Sequence, residues 1–211
     1  MRVENSSYEI LSEIDSEKMM KNIEIAGRTC YKSEDKITMD SATKFVEMIV
    51  KRGHLTVIEH EKLTVRFVFD RGISHEIVRH RLASFSQEST RYVNYTKDKQ
   101  GSEISVIDIR EHVKTLEAYE VWLEAMDAAE KYYFKLIELG ETPQIARSVL
   151  PNSTKTEIVV TANLREWCLI LTQRIASAAH PQIREVMRPL LDELKIKLPA
   201  IFNSVNQVSE C

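Results

Sequence analysis

The chain has 211 residues, 43% hydrophobic and 29% charged, with a net charge of −3 at pH 7. A chain of that length buries enough surface for a core without staples, and the slightly acidic balance excludes a protein held to nucleic acid by bulk charge. Cys30, Cys168 and Cys211 are too few and too far apart for a disulfide scaffold or a cysteine-rich zinc site. No opening apolar segment reads as a signal peptide, and no apolar run reaches the ~20 residues of a membrane span. A cytoplasmic protein of one domain over 1–211 is the expectation.

Before Cys30 the chain is helix-like, and residues 41–52 read as a helix with Phe45, Met48 and Ile49 on its apolar stripe and Gly53 as its stop. Residues 62–70 alternate Leu63, Val65, Phe67 and Phe69 with other side chains, the pattern of a half-buried strand. A short helix is predicted over 73–82 and a long ordered loop over 83–100. Residues 114–139 read as a long helix ended by Gly140, and 156–162 as a buried strand. Asn163 then caps a helix, with Glu166 in the capping-box position and Leu164, Trp167, Cys168, Leu171 and Ile175 on the apolar face. The last helix starts near Pro181, and Pro189 is expected to kink it. Helices dominate and strands are few. The fold class expected is α+β, with helices packed around a small, mainly antiparallel or mixed sheet.

Chemistry concentrates in residues 79–92, RHRLASFSQESTRY. Arg79, His80, Arg81 and Arg91 interleave there with Ser84, Ser86, Ser89 and Thr90. Guanidinium groups bind phosphate through bidentate, charge-assisted hydrogen bonds, and hydroxyls and loop amides supply further donors. The residues therefore point to an anionic-ligand site, most simply for a phosphate. The bland alternative is a helix end whose cations complement the dipole, but four such groups among small hydroxyls are dense for a solvated face.

Arg79-His80-Arg81 followed after seven residues by Ser89, and then Ser89-x-Arg91, resembles the signature of the flavin-dependent thymidylate synthases. The segments GHLTVIEH (53–60), ARSVLPNSTKTEIVVTANLREW (146–167) and AAHPQIREVMRPLL (178–191) resemble flanking segments of the same family, in the same order. The resemblance implies an enzyme that makes dTMP from dUMP with FAD as cofactor and with NADPH and methylenetetrahydrofolate as co-substrates. It also implies a homotetramer in which each active site is shared between subunits. Carried over by motif, Thr56, Arg79, His80, Arg81, Gln87, Asn163 and Arg165 would contact the cofactor. Glu76, Arg79, Gln87, Glu88, Ser89, Thr90, Arg91, Arg147 and Arg174 would surround the nucleotide. Arg174 would stabilise charge on the pyrimidine, and Ser89 would position it without acting as a covalent nucleophile. No metal, nucleic acid or membrane enters this reading.

The chain departs from the common pattern of that family at three positions. Leu169 stands where His or Asn is frequent, Glu76 where Gln is frequent, and Gln87 where Glu is frequent. On a helix Glu76 would pair with Arg79 or His80 at i+3 or i+4. Asn163 and Arg174, eleven residues apart, would lie close to three turns apart on one helix. A thymidylate route through a cysteine nucleophile needs an electropositive, accessible thiol, and none of the three cysteines is so placed by sequence. His54, His60, His112 and His180 carry no motif. The run His75-Glu76-Ile77-Val78-Arg79-His80 has one residue too many for a zinc-binding HExxH, because i and i+5 differ by about 140° on a helix. A non-catalytic nucleotide- or RNA-binding module is the other rival, disfavoured by the acidic charge and the lack of a Gly-rich phosphate loop.

Overall fold

The computed structural model describes residues 1–90 and 103–205. In chain order the elements are β1 (Arg2–Glu4), β2 (Ser7–Ile10), α1 (Ser16–Thr29), α2 (Ser41–Lys51), β3 (Lys62–Asp70), α3 (Arg71–Ile77), β4 (Ser84–Gln87), β5 (Ser105–Ile107), α4 (Leu116–Glu138), α5 (Pro143–Ala146), β6 (Lys155–Asn163), α6 (Leu164–Arg174), α7 (Pro181–Lys197) and α8 (Pro199–Phe202). The fold is α+β, with an antiparallel four-stranded sheet in the order β2-β3-β6-β4. Strand β1 pairs in parallel with β5 at the register Arg2↔Ser105.

The two long strands follow directly from their sequence period. Leu63, Val65, Phe67 and Phe69 are fully buried on β3, and Thr156, Ile158, Val160 and Ala162 are buried on β6. Each strand runs into a helix with no intervening loop. The last strand residue makes the turn: Asp70 Oδ1 accepts from Ile73 N at 2.6 Å, and Asn163 Oδ1 accepts from Glu166 N at 2.8 Å. These caps satisfy amide groups that a helix start leaves unpaired.

The described residues divide into two compact units: those within Met1–Ser7, Phe67–Ile77 and Ser86–Val159 form one, and those within Tyr8–Arg66, Val78–Phe85 and Val160–Cys211 the other. In the first, Ile104, Val106, Met126, Tyr133 and Ala146 form a core onto which Trp122 and Phe134 pack. In the second, α1 packs on α2, and α6 on α7. Gly27 on α1 allows a close approach to α2, since a Cβ there would stand 2.6 Å from the Phe45 ring. Trp167 of α6 is fully buried, and its indole Nε1 donates to Leu63 O at 3.0 Å. The predicted helices over 41–52, 114–139 and from 163 and 181 onward are present, and Gly140 stops α4 at φ +91°. Pro189 lies inside α7.

Two expectations are corrected. The helix expected over 73–82 starts at Arg71 and ends at Ile77. Asp70 sets its early start, and its early end leaves His80 buried among partners outside the helix. Those tertiary contacts override a run, Val-Arg-His-Arg-Leu, with no strong local preference against helix. The polar stretch expected as loop from 83 holds strand β4, which alternates exposed Ser84 and Ser86 with half-buried Phe85 and Gln87 beside β6.

Candidate functional site

The sequence-derived residues fall into two groups, one in each unit. In the unit that contains α6, the helix is the scaffold. Its stripe Glu166, Trp167, Ile170 and Leu171 is buried, and Arg174 ends it. His80 comes in on the turn after α3 and is itself buried, at 6% exposed. Arg174 Nε donates to His80 Nε2 at 3.0 Å. The other imidazole nitrogen, Nδ1, lies 3.4 Å from Glu166 Oε1, and Glu166 is 4% exposed.

The chemistry of this row follows from the donors. Arg Nε carries a hydrogen and cannot accept, so Nε2 must offer a lone pair. A neutral imidazole then has its hydrogen on Nδ1, facing the carboxylate. Burial, and secondly the positive charge of Arg174, lower the His80 pKa to about 4. Burial raises that of Glu166. One carboxylate and one guanidinium thus stand on either side of an uncharged ring. An unfolded histidine takes its proton near 6.5, whereas folded His80 resists until about 4. The stabilisation by this group is complete above pH 6.5 and is lost as pH falls toward 4. In ligand-free protein, [15N]imidazole spectra are expected to show His80 neutral from pH 8 to about pH 5. A titration midpoint near 6.5 would remove the uncharged ring.

Glu166 was read from sequence only as half of a capping box. Asn163 does cap, but the carboxylate of Glu166 meets His80 rather than returning to the cap amide. The available signal was an acid inside the stripe that Trp167, Ile170 and Leu171 define. The pairing of Glu76 with Arg79 or His80 along one helix is likewise corrected, because α3 ends at Ile77. Arg79 and Arg81 are exposed on the turn that follows, in no ion pair among the described residues.

Two cavities lie beside α6 in the same unit. One, about 550 Å³, is lined by Leu55, Leu82, Asn163, Arg165, Cys168 and Leu169 among others. The second, about 260 Å³, includes His54, Thr56 and again Arg165. Arg165 Nη1 donates to Glu59 Oε1 at 2.6 Å. Thr56, distant in sequence from Asn163 and Arg165, is therefore brought with them to the walls of neighbouring cavities. Leu169 makes one wall apolar at the position where the resemblance leads one to expect a polar group. Cys168 is mostly buried, and burial pushes its thiol up to about 12. Cys30 is exposed, and Cys211 lies outside the described residues.

In the other unit, residues 87–90 leave strand β4 with their side chains engaged. Gln87 Nε2 donates to Ser74 Oγ at 2.8 Å and to Thr156 Oγ1 at 3.2 Å. Ser74 gives its own hydrogen to Arg71 O, so position 87 must supply a donor. Gln does so in this arrangement, whereas an ionised Glu would have to accept from Ser74 instead. Glu88 stands 3.6 Å from Lys155 Nζ. Thr90 is buried and accepts from Arg147 Nη1 at 3.3 Å, joining two of the expected nucleotide contacts. Ser89 is half-buried, as is Glu76. Arg91 lies outside the described residues. Of the remaining histidines, His180 caps α7, with its Nδ1 accepting from Gln182 N. His54 and His60 are exposed.

Comparisons with known proteins place the chain in a family. Residues 12–200 match the family model described as thymidylate synthase complementing protein. A flavin-dependent thymidylate synthase of Mycolicibacterium vanbaalenii is 33% identical over 199 residues, covering 86% of this chain and 77% of the relative. Its counterpart in Geobacter sulfurreducens is 33% identical over 192 residues, covering 85% and 79%. In fold, the chain is similar to a UMP/dUMP methylase, PolB, from Streptomyces cacaoi bound with 5-Br dUMP. That similarity has a TM-score of 0.75 at 21% identity and covers 97% of this chain and 96% of the other.

Proposed function

Because the chain belongs to the thymidylate synthase complementing protein family, we propose that it is a flavin-dependent thymidylate synthase, a methyltransferase that converts dUMP to dTMP. The match over residues 12–200 carries this reading, and the anchored guanidinium of Arg174 gives it a chemical centre. In this reading the cofactor is FAD, the co-substrates are NADPH and methylenetetrahydrofolate, and the working form is a homotetramer with shared active sites.

The residues present suit a dinucleotide cofactor. A cavity of about 550 Å³ whose lining joins Leu55, Leu82, Leu169 and Val205 to Asn163, Arg165, Thr172, Ser204 and the carboxylates Glu59 and Glu166 has the size and mixed lining of small-molecule sites in general. Thr56, Arg79, His80, Arg81, Gln87, Asn163 and Arg165 would hold FAD. When bound, FAD reduced by NADPH supplies the hydride that completes a methyl group whose carbon comes from the folate.

The protein's own part is binding, orientation and electrostatics. Arg147 and Arg91 take the nucleotide phosphate, with Thr90 orienting the Arg147 guanidinium through the bond of 3.3 Å. Glu76, Arg79, Gln87, Glu88 and Ser89 complete the nucleotide site, Ser89 by positioning. Arg174 stabilises negative charge that grows on the pyrimidine as it is activated, as fixed donors do at an oxyanion. A cysteine nucleophile is not needed in this scheme. The Cys168 thiol, raised to about 12, stays protonated at neutral pH, and Cys30 turns its sulfur to Ala26 O.

An absorbance spectrum of the purified protein tests the reading. A flavin spectrum that bleaches with NADPH and turns over dUMP is expected, and a colourless protein that takes up no added FAD would overturn it. In the Arg81→Ala variant flavin retention is expected to fall by about tenfold, the equivalent of one charge-assisted contact. Full occupancy in that variant would remove Arg81 from the cofactor site.

A further inference from the structure

Glu166 and His80 are two buried polar groups in direct line with Arg174. The carboxylate stands 3.4 Å from Nδ1 of the ring, and Nε2 of the ring accepts from Arg174 Nε at 3.0 Å. Glu166 and Arg174 are eight residues apart on α6, close to two turns. One rigid helix therefore supplies both ends of the row, and the histidine bridges them. We propose that Glu166 is a positioning residue for Arg174, acting through His80: its carboxylate fixes the Nδ1–H tautomer, which presents the Nε2 lone pair that holds the guanidinium.

Two features support this assignment. The alternative tautomer would point Nε2–H at Arg174 Nε–H, two donors face to face, so the direction of the ring proton decides whether the arginine has an anchor. The anchor also uses Nε, which lies outside the Nη1–Nη2 edge. That edge is one of the two through which a guanidinium meets a planar anion bidentately, and the row itself engages Nε alone.

The proposal rests on the role given above to Arg174 in dUMP activation, and its test has one arm independent of that role. In [15N]histidine-labelled protein, with the His80→Gln variant identifying the resonance, His80 is expected as a single Nδ1–H tautomer. In Glu166→Leu it is expected to show mixed tautomers. In Glu166→Gln, whose side-chain oxygen can accept from Nδ1–H, it is expected to match the parent. Under saturating dUMP, Glu166→Leu should lose about 10- to 100-fold in kcat, the scale of a misplaced reacting group. Glu166→Gln should stay within about threefold, and KM for dUMP should change little in either. An Nε2–H tautomer in the parent protein overturns the proposal, whatever the activity. So does a Glu166→Leu variant with mixed tautomers and normal kcat, and so does a Glu166→Gln variant as impaired as Glu166→Leu. If the parent makes no dTMP, the reading of the function fails, and the spectra still decide whether the row orders Arg174. Should Glu166→Leu fail to fold, the parent spectrum and Glu166→Gln carry the decision.

Discussion

Arg174→Ala is expected to lower dTMP formation by about 10²- to 10³-fold while the purified protein keeps its flavin, the loss seen when one fixed donor to a developing anion is removed. The guanidinium is half-buried and its Nε is tied to His80 at 3.0 Å. Charge–charge attraction in such a place is weakly screened compared with water, so water entering the vacated space would not replace it. Little of the loss should come from stability. Removing Arg174 also removes a positive charge that helps to hold the His80 pKa down, so in the variant that value should move up from about 4. Arg174→Lys separates charge from shape: it restores a cation but not the planar fork, and its activity should fall between the two. The decisive numbers are single-turnover rates at saturating dUMP together with the flavin-to-protein ratio. Normal rates in Arg174→Ala would show that the arginine does not stabilise charge in the reaction.

The largest loss of stability is expected from Trp167→Ala. The side chain is fully buried, and its indole N–H is bonded to Leu63 O at 3.0 Å. Emptying such a site costs about 3–5 kcal/mol, and the deserted carbonyl adds about 1 kcal/mol more. For a chain of this size each kcal/mol moves Tm by about 2–4 °C, so calorimetry at one protein concentration should show a fall of roughly 10–15 °C. Trp167→Phe keeps most of the volume and loses the hydrogen bond, and should cost only about 1–2 kcal/mol. If Trp167→Ala melts within about 3 °C of the parent, the packing of α6 on its surroundings is not what the burial implies.

Much of this fold could be read from periodicity. Alternation on β3 and the stripes of α6 and α7 are one-dimensional signals that burial converts directly into structure, whereas on α2 Phe45 and Ile49 are buried but Met48, expected on the same stripe, is exposed. The caps were equally legible where one side chain serves one amide, as at Asn163. Misreadings came where a residue's partner lies far along the chain. His80 is 86 residues from Glu166 and 94 from Arg174, and no local pattern announces such a meeting. The same distant contacts ended α3 early and set the arginines on either side of His80 on a turn. Strand β4 was hidden because an edge strand with one half-buried face can be polar. The motif resemblance named many site residues, whereas Glu166 needed the fold, since its sequence position already had an adequate local explanation as a cap partner.

The loopless junctions at Asp70–Arg71 and Asn163–Leu164 have a consequence for how such a chain can change in length. A residue inserted after Asn163 has no slack to enter. It would advance α6 by about 1.5 Å and turn it by about 100°, carrying Glu166 away from His80 and Trp167 away from Leu63. A residue inserted within β6 would exchange the buried and exposed faces of every position beyond it. Length variation among natural homologues should therefore collect elsewhere, and an indel scan across residues 155–174 should read as a continuous intolerant block whose edges mark the strand and helix that share a single residue as their hinge.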